Sequence, residues 1–408
     1  MPSSRPWLAI ATIFVACGSL SAQDQDRGAA WTRHVIDDSS RGADGVRLTD
    51  INGDGWPDFV TGWEEGGVIR AYLNPGPSAA KRRWPAVTVG RGGSPEDAVY
   101  ADLDGDGAAD VISCCEGQTR SLFVHWAPKE KTRWLDPSAW VTEPIPVTQG
   151  ARSWMFCLPM QVDGRGGIDL VVGSKNRDAW IGWLEAPSEP HDLASWRWHP
   201  LCQAGWIMSL IALDVDGDGD QDIVASDRKG PGRGCFWLEN PGPGPEQARP
   251  WRKHPVGAED VEVMFLTLAD LDRDGHLDLL TATRDRGLVF LRRQANRSDA
   301  WERYTIDLPP NTGTAKAVAV GDIDLDGHPD IIFTCEGAVG SKSGVVWMSY
   351  RGSVTDRTWT AHEVSGPEGT KYDLVELLDL DGDGDLDALT CEERENLGVI
   401  WYENPALR

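Results

Sequence analysis

Short runs of β-branched, aromatic and aliphatic residues alternate with turn residues along nearly the whole chain. "AVYAD" runs into an acidic stretch at Asp102, and "DIVAS" and "DIIFT" leave similar stretches at Asp222 and Asp330. Such runs predict strands separated by tight turns. An aromatic run follows each acidic stretch: "AYLNPGP", "VHWAP", "IGWLEAP", "CFWLENPGP", "VFLRR", "VVWMSY" and "VIWYENP". A further β-like run opens on Trp31, Trp84, Trp140, Trp196, Trp251, Trp301 or Trp359. The acidic stretches begin at Asp50, Asp102, Gln161, Asp214, Asp270, Asp322 and Asp379, a period of 52 to 59 residues. Each unit therefore reads as four short antiparallel strands. Seven such units predict an all-β fold, a seven-bladed β-propeller. The first Trp run precedes the first acidic stretch, and the last aromatic run ends the chain. Blade seven therefore needs the N-terminal strand to complete it and close the ring. These units account for almost all of residues 31–405, and residues 23–408 are expected to form one domain.

Composition sharpens this picture. The chain has 408 residues and a formal net charge of −25, with 40% hydrophobic residues, 20 Trp, 45 Gly and 26 Pro. An acidic chain repels nucleic acid and anionic membrane, which argues against both as partners. The N-terminus, "MPSSRPWLAIATIFVACGSLSAQDQD", carries Arg5, then an apolar run too short to span a bilayer, then small residues. It reads as a signal peptide over residues 1–22, cut near Ala22, so the protein is expected to be secreted, periplasmic or extracellular. "FVAC" offers a second reading, a lipoprotein anchor at Cys17. No other segment is long and apolar enough to cross a membrane. The seven remaining cysteines have no CxxC or zinc spacing, and they read first as small buried residues. A disulfide stays open, its pairing unknown.

The acidic stretches carry chemistry. "DLDGDGAAD", Asp102 to Asp110, places carboxylates at positions one, three, five and nine, with Gly at six. Crowded carboxylates repel unless a cation binds them, and Ca²⁺ takes six to eight oxygens at about 2.3–2.6 Å. An EF-hand would need Glu at position twelve between helices. Here position twelve is Thr61, Ser113, Ala225, Thr281, Phe333 or Thr390, within a strand pattern. Six loops keep the ligand types: Asp50, Asn52, Asp54 and Asp58; Asp102, Asp104, Asp106 and Asp110; Asp214, Asp216, Asp218 and Asp222; Asp270, Asp272, Asp274 and Asp278; Asp322, Asp324, Asp326 and Asp330; Asp379, Asp381, Asp383 and Asp387. About six structural Ca²⁺ are expected, which would take the net charge from −25 to −13 (−25 + 12). "QVDGRGGID" departs from the pattern: Arg165 stands at position five of this loop at 161–169. That loop is expected to hold no metal and to use an internal Arg–Asp pair.

With strands on both sides of a loop recurring at this period, the sequence resembles the FG-GAP or VCBS repeat family. The resemblance implies an integrin-α-like seven-bladed propeller with Ca²⁺ in its first-to-second-strand loops. It also implies an opposite face built from second-to-third and fourth-to-first connections. It does not fix activity, since the family includes adhesion modules, lectins and propeller parts of sugar-processing enzymes.

Residues repeated in every unit, including His34, His199, His254 and His362, read as scaffold. Function is expected where the units differ. Six residues past each loop stand Glu64, Glu116, Lys175, Arg228, Arg284, Glu336 and Glu393. Six residues before each loop stand Asp44, Glu96, Met155, Met208, Met264, Lys316 and Asp373. Both series change character at blades three to five, which supply cations in the first and Met in the second, flanked by Trp154, Phe156, Trp206 and Phe265. A ligand face divided into an apolar, basic half and an acidic half is expected. Trp154 and Trp206 would stack on a sugar or an apolar side chain, and Lys175, Arg228 and Arg284 would grip anionic groups. The predicted partner is a glycan or an extracellular protein. The alternative is a sugar lyase or dehydratase on the same face, using Lys316, Asp44, Glu96, Asp97 or Asp373.

Overall fold

The structure, a computed structural model, describes residues 27–285, 287–294 and 297–407. The segment holding Cys17 and Ala22 lies outside the described residues. Seven four-stranded antiparallel sheets make up the fold. Six of them are consecutive in the chain, over residues 43–91, 95–144, 153–203, 207–257, 263–307 and 314–363. The seventh joins three strands within 372–403 to Thr32–Asp37, with Thr32 opposite Glu403 and Val35 opposite Ile400. The first strands of successive sheets touch one another in a closed cycle, so they line the axis of a seven-bladed propeller. Among the described residues no helix is long and apolar enough to cross a membrane.

The repeated residues explain why the blades pack. Third-strand Trp rings stack on fourth-strand His rings: Trp401 on His34, Trp183 on His199, Trp237 on His254 and Trp347 on His362, with centroids 3.7–4.6 Å apart. Glu403, Glu185 and Glu239 then hold the first three His Nε2 atoms at 2.5–2.8 Å. The Trp that opens the fourth-strand run is buried in six blades, and Trp301 is half-buried. Trp84, Trp140, Trp196, Trp251 and Trp359 donate their indole N–H to a carbonyl three to six residues upstream, tying down the preceding connection. Six of the seven cysteines of the described residues are buried, Cys202 is half-buried, and none of the seven is in a disulfide.

A second repeated device ties the first loop to the blade. The position-nine Asp is buried in all seven units. Its carboxylate accepts the position-two N–H, as from Leu103 to Asp110 at 3.1 Å. In six units its other oxygen accepts an N–H just past or at the end of the third strand, as from Ala127 to Asp110 at 2.8 Å. Asp169 in the degenerate third loop makes both bonds too. Position nine therefore joins the first three strands whatever the rest of the loop contains.

Each first strand also carries a β-bulge near its start, between 44 and 47 in blade one and between 207 and 209 in blade four. A bulge re-aims the side chains around it. The residue six before the loop lies at this irregularity in every blade.

Candidate functional site

On the loop face, backbone amides shape each acidic loop. In blade two the position-one carboxylate accepts the N–H of Gly107 at 3.1 Å, Asp104 accepts that of Asp106 at 3.0 Å, and Asp106 accepts that of Ala108 at 2.9 Å. The same pattern recurs around Asp214 and Asp322. Gly107 and Gly219 turn the chain with φ of +89° and +97°, a region L-residues rarely adopt. At Asp102 and Asp322 one oxygen is thus committed to the backbone, whereas Asp50, Asp214 and Asp270 accept backbone N–H groups with both oxygens. Asp102 Oδ1 and Asp322 Oδ1 are buried with no hydrogen-bond partner. Single oxygens of Asp102, Asp104 and Asp110 lie within 4.8 Å of one another, as do those of Asp214, Asp216 and Asp218, and of Asp270, Asp272 and Asp278. All-oxygen donors at this spacing fit a hard divalent ion.

The third loop corrects one expectation. Among the described residues no ion pair joins Arg165 to an Asp; only its backbone N–H reaches Asp163, at 2.9 Å. The Gln161 side chain replaces the expected pair. Its Nε2 donates to the carbonyls of Gly167 at 2.5 Å and Arg165 at 3.0 Å, while its Oε1 accepts the Gly164 N–H at 2.9 Å. Gly167 occupies position seven, whose carbonyl would face a cation in the other loops. A neutral amide donor fills this loop.

At the opposite end of the axis lies a cavity of about 270 Å³. It is lined by fourteen of the sixteen candidate residues, the two counted series and their flanking Trp154 and Trp206: Asp44, Glu64, Glu96, Glu116, Met155, Lys175, Trp206, Met208, Arg228, Met264, Arg284, Lys316, Glu336 and Asp373. The reason both series meet is a backbone stitch. In five blades the N–H of the residue six past the loop donates to the carbonyl eight before it, as from Glu116 to Ser94 at 3.0 Å and from Arg228 to Trp206 at 2.8 Å. Asp227 and Glu392 reinforce it by accepting N–H groups of the fourth-to-first connections, from Gly205 and Trp206, and from Thr370 and Lys371.

Two of the sixteen do not line the cavity. Glu393 stands behind it, buried, 3.0 Å from Lys316 Nζ and against Lys371. Trp154 was expected to stack on a ligand. It is 1% exposed, packs edge-on against Trp198 within the core between blades two and three, and donates its indole N–H to Thr148 O at 3.1 Å. The bulge between 154 and 156 turns Met155 and Phe156 to the cavity and leaves Trp154 inside.

The basic half is also not free, contrary to expectation. Lys175 Nζ is 2.6 Å from Glu116 and 3.2 Å from Glu96. Arg228 bonds Glu262 at 3.2 Å, and Arg284 lies between Glu262 and Glu336. Lys316 is bound to Asp373 and Glu393. Lys175, Arg228 and Lys229 lie 4.7, 4.5 and 4.7 Å from the Trp206 ring centroid. That ring is a cation-clad wall and not an open stacking platform. The apolar half is built by Met155, Met208, Met264, Phe156 and Phe265. Reading only one position on each side of the loop missed Lys371, eight before its loop, and Glu262, the acid that couples Arg228 to Arg284. It also missed Arg47, whose guanidinium grips both Asp97 oxygens at 3.0 Å and covers the Phe156 ring at 4.2 Å.

Burial sets the protonation of the acidic half. It pushes Glu96 up to about 8, offset only in part by Lys175. Burial acts on Glu116 too, but the hydrogen bond from Glu96 and the Lys175 ammonium hold it below the usual range. Burial, with the charges of Asp373 and Glu393, pushes Asp44 well up. Against its own burial, Asp373 is held low by Lys316 and a hydrogen bond from Asp44. Two carboxylic acids therefore each face a carboxylate that is paired with a lysine.

Comparison with known proteins bears on the repeats. The FG-GAP-like repeat family matches residues 50–113 and 270–333. No curated protein matches the chain in sequence. Among solved structures, a chain from BBS1N in complex with ARL6DN aligns with a TM-score of 0.51 at 10% identity, covering 93% of this chain and 98% of that one. An Agrocybe aegerita lectin that recognises non-reducing terminal N-acetylglucosamine aligns with a TM-score of 0.46 at 17% identity, covering 79% of this chain and 80% of that one. At such identity the likeness is one of fold.

Proposed function

Starting from a seven-bladed propeller of FG-GAP repeats, we propose that this chain is an exported, calcium-stabilised binding protein whose ligand seats in the axial cavity opposite the acidic loops. The observation that carries this reading is the cavity itself. It gathers the residues at which the repeats cease to repeat, and it sets an apolar Met and Phe wall against a wall of hydrogen-bonding charges. Its lysines and arginines are already paired with acids, which disfavours a polyanion and favours a neutral, polyhydroxylated ligand. A glycan fits: its hydroxyls meet carboxyl and ammonium groups, and its C–H face meets the methionines. A protein loop bearing polar side chains is the other member of this class.

In the acidic loops the ions would be held by the inward oxygens of positions one, three and five, the position-seven carbonyl and the position-nine Asp. A bound Ca²⁺ supplies charge neutralisation that lets these carboxylates pack. The test of the binding reading is a glycan-array screen of the calcium-loaded protein, followed by titration of any hit into Arg284→Ala. Binding lost or weakened at least 10-fold in that variant supports the reading. Absence of any glycan or protein ligand sinks it.

A second reading, a lyase or dehydratase, is favoured by one observation. Glu96 and Glu116 are adjacent carboxyls whose environments drive their proton affinities apart, as acid–base chemistry requires. Turnover of oligosaccharides with rising ultraviolet absorbance of an unsaturated product would establish it.

A further inference from the structure

Of the seven cysteines of the described residues, two share a core. Cys114, on Asp110–Cys115 of blade two, and Cys157, on Ser153–Met160 of blade three, are fully buried in the cluster between those blades. Cys202, Cys235, Cys335 and Cys391 each belong to a different cluster. Cys115 follows Cys114 directly, so its side chain leaves the opposite face of the strand. Its Sγ lies against Gly92, just past the fourth strand of blade one. Asp97 holds the first two cysteines in place. It stands opposite Cys114 in the ladder of blade two, and its Oδ2 accepts the Cys157 N–H at 2.9 Å. Arg47 in turn fixes the Asp97 carboxylate. The Cys114 and Cys157 thiols share a hydrogen bond across the blade boundary. Two thiols in contact on neighbouring, tightly packed strands can join with little backbone movement.

We propose that Cys114 and Cys157 form a disulfide that staples blade two to blade three beneath the mouth. The oxidant is an external disulfide, that of oxidised glutathione or of a thiol oxidase. Its S–S bond breaks and takes up two electrons and two protons as two thiols, while the two cysteine sulfurs lose them and bond to each other. Burial, and then the Cys157 thiol, push the Cys114 thiol well up, so the folded pair stays protonated and unreactive. Exchange therefore proceeds while the two blades are open, during folding. The cross-link closes a loop of 43 residues (157 − 114) and restricts the unfolded chain. It lies where the mouth changes character, between Glu96 and Glu116 of blade two and Met155 and Lys175 of blade three. The inference is independent of any ligand and uses export only to say where an oxidant is met.

The test is a peptide map of the full chain, alkylated without reduction, after exposure to oxidised glutathione with calcium present. One sample is the folded, reduced protein and the other is refolding from denaturant. A peptide linking Cys114 to Cys157 should appear in the refolding sample. The link should be lost in Cys114→Ser and persist in Cys115→Ser. Recovery of Cys114 and Cys157 unlinked in both samples, or of either linked to another cysteine, overturns the proposal. Should Cys114→Ser fail to fold, the map of the unaltered chain decides alone. Failure here leaves the glycan reading standing, and a failed glycan screen leaves the map unaffected.

Discussion

The two ends of the propeller axis use the same residue types in opposite ways. On the loop face, acids recur in register, each orders a backbone turn, and the inward oxygens converge on one point. At the mouth, acids occur in only some blades, and they meet lysines, arginines and one another. Blade three shows the contrast within a single unit. Its loop has lost the acid at position one, yet Gln161 reproduces the geometry with an amide donor. Its mouth contributes Met155 and Lys175, unlike the acids of blades one and two. Repetition on one face fits the structural task proposed for it, and divergence on the other fits the proposed binding.

The largest expected effect separates the faces by metal. At about 100-fold excess over its dissociation constant, each bound ion stabilises by about 2.7 kcal/mol. With six loops, chelation should lower the melting temperature by about 10 °C or more. Calorimetry with and without chelator measures it, and a shift within error would remove the loops from the stability account. Gln161→Asp with Arg165→Asp should restore the full ligand set and add one ion to the metal count. An unchanged count would mean that the donor pattern alone does not make a site.

Next in size is Trp154→Ala. Removing a fully buried indole costs about 3–5 kcal/mol. Denaturant melts should show that loss while ligand affinity at calcium saturation stays the same. A large affinity loss with intact stability would return Trp154 to the binding face. Gln161→Ala is smaller. It unpairs two exposed carbonyls and two exposed amides, which water can reach, at about 0.5–1.5 kcal/mol. Its melting shift should be the same with and without chelator, because this loop is expected to hold no ion.

The fold was legible because its signals recur: period, loop, aromatic run and Trp run each appear seven times. The mouth was legible only at positions fixed by counting from a loop. That count worked because the N–H to C=O stitch holds both registers at the cavity. It failed at Trp154, one residue from Met155, because a bulge decides which neighbour faces in, and composition does not encode the bulge. It also took Lys175, Arg228 and Arg284 as free. Their partners lie in other blades or other connections, such as Glu96, Glu262 and Glu336, and sequence does not show which charges meet across the ring. Glu262 and Lys371 carried no mark, since neither stood at a counted position.

A pH dependence comes from Glu376. Burial pushes Glu376 up to about 7, offset only in part by Arg47. Its folded value lies above the unfolded one of about 4.3. Protonation therefore favours the fold: the stability is fully present below about pH 4 and is lost as pH rises through 7. In chelator, Glu376→Gln should flatten this part of the profile by at most about 3 kcal/mol between pH 4.5 and 8. An identical slope in both proteins would contradict the assignment.

The most direct test of the division between faces is one pair of binding isotherms at saturating calcium. The best glycan from the screen is titrated into the native protein and into Arg284→Ala, whose side chain is half-exposed at the mouth. The account predicts at least 10-fold weaker binding with an unchanged melting temperature. Equal affinity in the two proteins would contradict it, and would place the ligand elsewhere than the mouth.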